Sequence, residues 1–167
     1  NILSGLQKQD LIILAARPSV GKTTLALDIA RMAATTHGKS VGIFSLEMST
    51  QQLIDRMLSA ESKVNAWKLR TGGVSSDSDF SLIRDSIDRL SKAQIHIDDK
   101  SANTIVGMKA AARRLKAEKG LDLIVVDYLQ LMSTSKSYDN MVNQVTEISR
   151  SLKALAKELD VPVLALS

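Results

Sequence analysis

Short apolar runs alternate along this chain with longer segments in which apolar residues recur every three or four positions. An unbroken apolar run is typical of a buried strand, and the longer spacing is typical of a helix with one buried side. The runs predict strands over residues 10–16, 41–46, 95–97, 123–127 and 163–166. Because strands and helices alternate, we expect an α/β fold, with a mostly parallel sheet and helices on both of its faces.

Capping and stop signals indicate where the helices begin and end. Ser49 and Gln52 have the spacing of a capping box, and Gly38 and Gly120 stand where two helices should stop. We expect helices over residues 22–37, from the Ser49 cap to about 60, over 65–71, after a cap at 76–79, over 104–119, and along an apolar stripe from 142 to 159. The fourth helix carries four apolar residues on one face: Phe80, Ile83, Ile87 and Leu90. Residues 133–139 are predicted to form a polar loop.

The composition narrows the class of protein. The 167 residues are enough for one compact core, and we expect residues 1–167 to form a single domain. Hydrophobic residues make up 44% of the chain and aromatic residues only 3%, which predicts an aliphatic core of the kind that parallel sheets have. Cysteine is absent and no apolar run is long enough to cross a bilayer, so we expect a cytoplasmic protein without a membrane partner. The chain starts without Met and stops just after a strand, and we interpret it as a piece of a larger protein.

A candidate phosphate-binding loop follows the first predicted strand. Residues 15–24 read Ala-Ala-Arg-Pro-Ser-Val-Gly-Lys-Thr-Thr and lead directly into a helix. Backbone N–H groups in such a loop and at the helix start form a site for polyphosphate, with Lys22 reaching the phosphates and Thr23 reaching Mg²⁺. The first position of the usual pattern is Ala16 instead of Gly, which the turn tolerates if φ stays negative there. The residues expected to bind nucleotide are Arg17, Pro18, Ser19, Val20, Gly21, Lys22, Thr23 and Thr24.

Two acidic residues follow other strands of the predicted sheet. Asp127 ends the most apolar strand, where a carboxylate can hold Mg²⁺. Glu47 follows the second strand, and since ligands bind beyond the carboxyl ends of parallel strands, we expect it on the same edge as Lys22 and Asp127. By position alone, Glu47 is equally well explained as a base for an attacking water or as an acid that stabilises the next helix.

Other polar or aromatic residues give weaker signals. Asp98 and Asp99 form a pair without further metal ligands at useful spacing, which favours a turn at a strand end. Trp67 is interpreted as a packing anchor or an interface residue. Tyr128 and Gln130 follow Asp127 and could sense the state of the nucleotide. The net charge of +4 is too small to argue for a nucleic-acid partner by itself.

The ordered set of motifs resembles the ATPase domain of bacterial replicative DNA helicases, the DnaB family. The resemblance begins with residues 5–7, 10–13 and the loop Ala16-Arg17-Pro18-Ser19-Val20-Gly21-Lys22-Thr23, whose Ala-Arg-Pro start is common in that family. It continues, in order along the chain, through Phe44-Ser45-Leu46-Glu47-Met48-Ser49, Arg70-Thr71-Gly72, Ile97-Asp98-Asp99, residues 127–131, residues 147–153 and residues 161–167.

This resemblance implies a RecA-like P-loop fold, with the last strand lying between the loop strand and the Asp127 strand. It implies an ATP- and Mg²⁺-dependent motor that forms a homohexamer on single-stranded DNA, with Glu47 as catalytic base, Lys22 on the phosphates, and Thr23 and Asp127 at the metal. Primase and a helicase loader are implied as partners through regions outside these residues, as are a DNA-contacting loop and an arginine finger beyond Ser167. A RecA-like recombinase and a nucleotide-dependent assembly ATPase are the alternatives that share these motifs.

Overall fold

The computed structural model describes residues 5–17, 19–74, 76–100, 104–127 and 141–167, with only the backbone described for Arg70, Met141 and Val142. Five strands and six helices lie within these residues, and they alternate as expected. The strands are β1 (Leu11–Leu14), β2 (Val41–Ser45), β3 (Ile95–Asp98), β4 (Leu123–Asp127) and β5 (Val163–Leu166). The helices are α1 (Lys22–Thr35), α2 (Thr50–Ser62), α3 (Ala66–Thr71), α4 (Asp77–Lys92), α5 (Ile105–Lys119) and α6 (Met141–Leu159).

The strands form one parallel sheet in the order β1-β5-β4-β2-β3. The expectation that the last strand lies between the loop strand and the Asp127 strand is therefore confirmed. In the β2–β4 pair, Ser45 is in register with Asp127, so both strands end at the same level. All five strands end at one edge of the sheet, and the candidate site residues that follow them are brought to this edge.

Alternation along the strands divides the core between the two faces of the sheet. Ile124 and Val126 pack into one cluster with α5 and α6, while Leu123 and Val125 pack into the other with α1 and α2. β4 is buried at every position, as its continuous apolar run predicted. No helix within the described ranges is long and apolar enough to cross a membrane.

Several element bounds differ from those predicted. β1 ends at Leu14 because the chain then turns toward the end of β5, where the Ala16 N–H lies 3.4 Å from the Ser167 carbonyl oxygen. β2 ends one residue earlier than predicted, and β3 extends one residue further to Asp98. α1 stops at Thr35, two residues before the predicted end, and α2 continues to Ser62.

Two predictions about apolar residues need correction. The apolar face of α4 is only partly covered, since Phe80 and Ile87 are 56% and 52% exposed. Trp67 is 63% exposed, so the interpretation of this residue as a packing anchor is wrong. Helical spacing identifies residues that share a face, but it does not say whether another element covers that face. The predicted loop over residues 133–139 lies outside the described residues.

Candidate functional site

The loop between β1 and α1 has the backbone conformation that a phosphate-binding turn requires. Gly21 precedes α1 with φ of 94°, which a residue with a side chain adopts only with strain. Ser19 also has a positive φ, of 65°, which is uncommon outside glycine and is typical of ligand-binding turns. Ala16 is not among the residues with positive φ, so the condition set for an alanine at this position is met. Pro18 lies outside the described residues.

The start of α1 leaves its first N–H groups available to a ligand. Gly21 offers no side chain to cap the helix, and the first turn contains no acidic residue. An added Cβ at Gly21 would meet no atom within 4 Å, so the space above the helix start is open. Unsatisfied N–H groups and the positive end of the helix dipole together favour an anion at this position.

Lys22 connects this loop to the end of β5. Its ammonium group donates a hydrogen bond of 2.6 Å to the backbone carbonyl oxygen of Ser167. The bond holds the charge of Lys22 at the carboxyl edge of the sheet, beside the open helix start. Arg17, Val20 and Thr24 are exposed around the same turn.

Asp127 is buried at the end of β4 and is only 3% exposed. Burial raises the pKa of its carboxyl group; a hydrogen bond with Thr23 opposes the increase, the charge of Glu47 adds to it, and the charges of Lys22 and Arg56 oppose it. Its Oδ2 atom has no hydrogen-bond partner within the part of the chain that the structure describes. A buried carboxylate oxygen without a partner is costly, and a bound cation or its water would satisfy it.

Glu47 lies at the same edge, in the turn between β2 and α2, and it is exposed. The Leu46 N–H donates to the Asp127 carbonyl oxygen at 2.8 Å, which brings the start of this turn to the end of β4. The effect of the Glu47 charge on Asp127 is a further sign that the two carboxylates share one region. The predicted meeting of Lys22, Thr23, Asp127 and Glu47 at one sheet edge is thus present in the structure.

The donor set fits Mg²⁺ better than an all-protein metal cage. Across residues 5–17, 19–74, 76–100, 104–127 and 141–167 there is no group of three His, Cys, Asp or Glu residues that could hold a metal ion. Mg²⁺ is commonly bound by one or two protein oxygens together with phosphates and water. The Thr23 hydroxyl and the partnerless Oδ2 of Asp127 match that requirement.

Arg56 is a residue of this region that the sequence reasoning missed. It lies on α2 and lines a cleft together with Thr24 and Asp28 of α1. Its positive charge also acts on Asp127. The available signal was its place on α2 immediately before Met57, which is buried against the sheet. Tyr128 and Gln130, predicted as possible nucleotide sensors, lie outside the described residues.

The fold and the loop define a RecA-like P-loop ATPase domain. Two solved structures support this class. One is a helicase-type ATPase domain, which gives a TM-score of 0.88 and 34% identity over 96% of this chain and 57% of that chain. The other is a DnaB-like replicative helicase described together with its interactions with primase, which gives a TM-score of 0.91 and 33% identity over 99% of this chain and 40% of that chain.

More specifically, the chain belongs to the DnaB-like helicase C-terminal domain family, whose profile matches residues 1–167. It is 54% identical over 165 residues to the replicative DNA helicase DnaB of Geobacillus stearothermophilus. It is 50% identical, also over 165 residues, to the replicative DNA helicase DnaC of Bacillus subtilis. The chain spans 36% of the length of each of these relatives. The resemblance inferred from the motifs is confirmed.

Proposed function

We propose that this chain is the ATPase core of a replicative DNA helicase, which uses ATP hydrolysis to move along single-stranded DNA and separate the duplex at the replication fork. The observation that carries the proposal is the convergence of Lys22, Thr23, Asp127 and Glu47 beside the open start of α1. Membership of the DnaB-like family supports the helicase over a recombinase or an assembly ATPase.

Binding of ATP would begin at the loop over residues 16–24. The N–H groups around Gly21 and at the start of α1 would accept the negative phosphates, and Lys22 would exchange its bond with Ser167 for the β- and γ-phosphates. An ammonium group is suited to this exchange because it is a compact charge on a flexible stem. Arg17 and Pro18 are proposed to complete the turn around the phosphates.

Thr23 and Asp127 would hold Mg²⁺, which supplies positive charge to the phosphates when it is bound. Asp127 is suited to this role because it is buried, accepts a hydrogen bond from Thr23 and retains an oxygen without a partner within the described ranges. The cost of keeping a buried carboxylate charged is offset only when a cation is close to it.

Glu47 would act as the general base. A water oxygen attacks the γ-phosphorus, the Glu47 carboxylate accepts the water proton, and the bond to the bridging oxygen breaks to give ADP and phosphate. Glu47 is exposed at the carboxyl edge, so a carboxylate oxygen can reach solvent and the phosphates together. The alternative, that Glu47 only stabilises the following helix, predicts no loss of turnover when its charge is removed.

The assembly and partners are proposed from the family. We propose a homohexamer that encircles single-stranded DNA in the bacterial cytoplasm, with primase and a helicase loader binding through regions outside these residues. Relatives extend well beyond the part matched here, and one solved relative is described with its interactions with primase. Phosphate contacts from basic side chains would dominate DNA affinity and make it depend on salt.

The proposal is tested by Glu47→Gln in the full-length protein. We expect ATP turnover to fall by about a hundredfold or more while nucleotide affinity is kept, since only proton transfer is removed. Unwinding of a forked duplex should stop with it. Glu118→Gln is the matched control, because Glu118 is an exposed acid near the end of α5, at the opposite edge of the sheet.

The results separate the candidate functions. Unchanged turnover in Glu47→Gln would remove this residue as the base. Pairing of homologous strands without unwinding by the unmodified protein would favour a recombinase. Nucleotide-dependent assembly that persists in Glu47→Gln, with no unwinding by either protein, would favour an assembly ATPase.

A further inference from the structure

The turn that carries Glu47 is attached to the neighbouring edge strand by one side chain. Asp99 immediately follows β3, and its Oδ2 atom accepts two hydrogen bonds from Thr50, the first residue of α2. The backbone N–H of Thr50 lies at 2.8 Å and its hydroxyl at 2.9 Å. One carboxylate oxygen therefore fixes both the main chain and the side chain at the point where the turn becomes a helix.

Local bonds hold the rest of the turn. The buried Ser45 hydroxyl accepts a bond from the Met48 N–H at 3.1 Å, and Ser49 forms a capping box with Gln52. Each of these bonds joins residues within β2, the turn and α2. The bond to Asp99 differs because its acceptor belongs to another part of the sheet, 49 residues away along the chain.

The carboxylate of Glu47 has no such support of its own. Among the described residues it makes no hydrogen bond or ion pair, and its side chain is exposed. Its position must therefore come from the backbone of the turn, which is fixed at Ser45 on one side and at Thr50 on the other. Loss of either end would allow the turn to move relative to Asp127.

We propose that Asp99 is a positioning residue for the hydrolysis of ATP, which holds the turn over residues 46–50 so that the Glu47 carboxylate stays beside the Mg²⁺ and phosphate site. This inference rests on the proposed role of Glu47. Asp99 acts through Thr50 and does not touch the substrate. Bonds from the Thr50 backbone and then from its hydroxyl keep the pKa of Asp99 below its usual range, so the acceptor remains a carboxylate at neutral pH.

The effect should appear in turnover and not in binding. The loop over residues 16–24 and Lys22 belong to other elements, so ATP can still bind when the turn moves. A general base must lie within hydrogen-bond reach of the water that it deprotonates, and a displacement of about 1 Å can cost about a hundredfold in rate. We therefore expect Asp99→Ala in the full-length protein to lower kcat by about tenfold or more, with KM for ATP changed by less than about twofold.

Conservative variants provide the rescue arms. Asp99→Asn keeps an oxygen that can accept from Thr50, and Thr50→Ser keeps both donors, so each should recover most of kcat. Asp122→Ala is the matched control, because the Asp122 carboxylate accepts a backbone N–H bond from Ser40 at 2.9 Å at the opposite edge of the sheet. Melting temperatures of Asp99→Ala and Asp122→Ala should fall by similar amounts, while only Asp99→Ala loses kcat.

Full turnover in Asp99→Ala, or an equal loss of kcat in Asp122→Ala, would overturn the positioning role. If Asp99→Asn and Thr50→Ser remain as impaired as Asp99→Ala, the two bonds are not the cause and the inference also fails. Glu47→Gln, measured alongside, separates this failure from that of the proposed function. When Glu47→Gln is inactive and Asp99→Ala is active, only the positioning role is wrong; when Glu47→Gln is active, the base assignment itself is wrong.

Discussion

Replacement of Asp127 with asparagine should stabilise the folded domain while it removes magnesium-dependent nucleotide binding. The side chain is 3% exposed, and one carboxylate oxygen has no partner among the described residues. Burial raises the pKa of Asp127 in the fold, so the native state disfavours the charge that this group carries at neutral pH. Asparagine has nearly the same shape, keeps an oxygen that can accept from Thr23, and carries no charge.

The sign follows from proton linkage. A folded pKa above the unfolded value means that the native state holds more protons in the interval between them, so stability falls as pH rises through this interval. At pH 7 the wild-type protein carries the whole cost, and Asp127→Asn avoids it. We expect a gain on the order of 1 kcal/mol, which corresponds to about 2–4 °C in melting temperature for a domain of this size. The gain should vanish near pH 4 and below, where Asp127 is protonated in both states.

Thermal unfolding at several pH values, with calorimetric titration of ATP with and without Mg²⁺, checks both halves of this prediction. Asp122→Asn is the control, because its carboxylate bonds the Ser40 N–H far from the site and asparagine can still accept that bond. Its melting temperature should change little. A fall in the stability of Asp127→Asn at neutral pH, or Mg²⁺-dependent ATP binding equal to wild type, would refute the account of Asp127 as a costly buried metal ligand.

Two further perturbations test the phosphate loop and the helix layer. Lys22→Ala should weaken ATP binding by about tenfold or more, because it removes a charged donor from the phosphates; unchanged affinity in calorimetry would contradict the site. Glu61→Ala should lower the free energy of unfolding by about 2–3 kcal/mol, because Glu61 is only 10% exposed and pairs with both Arg31 and Arg89, whereas Asp88→Ala breaks an exposed helical pair and should cost less than about 0.5 kcal/mol. Burial alone would raise the pKa of Glu61, but bonds from Arg89 and Arg31 outweigh it and keep the pKa low, so this stabilisation is present above the unfolded pKa and is lost as pH falls through the folded value.

The sheet and the candidate site were predictable because both depend on local patterns that parallel topology converts into proximity. β4 is apolar at four successive positions and ends in Asp127, which marks it as buried on both faces and places its carboxylate at the edge. The same rule placed Glu47 there, although it is 80 residues away from Asp127 along the chain. The place of β5 between β1 and β4 came from the family resemblance and not from the pattern.

Other features depend on pairs of elements, and no single segment encodes them. The stripe on α4 predicted one apolar face, yet Phe80 and Ile87 remain exposed because the described elements do not cover that end of the helix. Likewise, the bond between Lys22 and the Ser167 carbonyl joins residues 145 apart. A side chain that bonds a backbone carbonyl in another element leaves no periodic signal in the sequence.

Asp99 shows most clearly how a local interpretation can be correct and incomplete. Asp98 and Asp99 were predicted to form a turn at a strand end, and the Lys100 N–H does donate to Asp98 at 2.9 Å in such a turn. The same turn aims Asp99 at Thr50 of α2, because β3 and β2 are parallel neighbours and both end at this edge. The architecture that gathers phosphate-binding and metal-binding groups at the carboxyl edge thus also gathers the groups that can hold them in place. Residues that follow edge strand β3 can therefore control the geometry of hydrolysis without contact with the nucleotide.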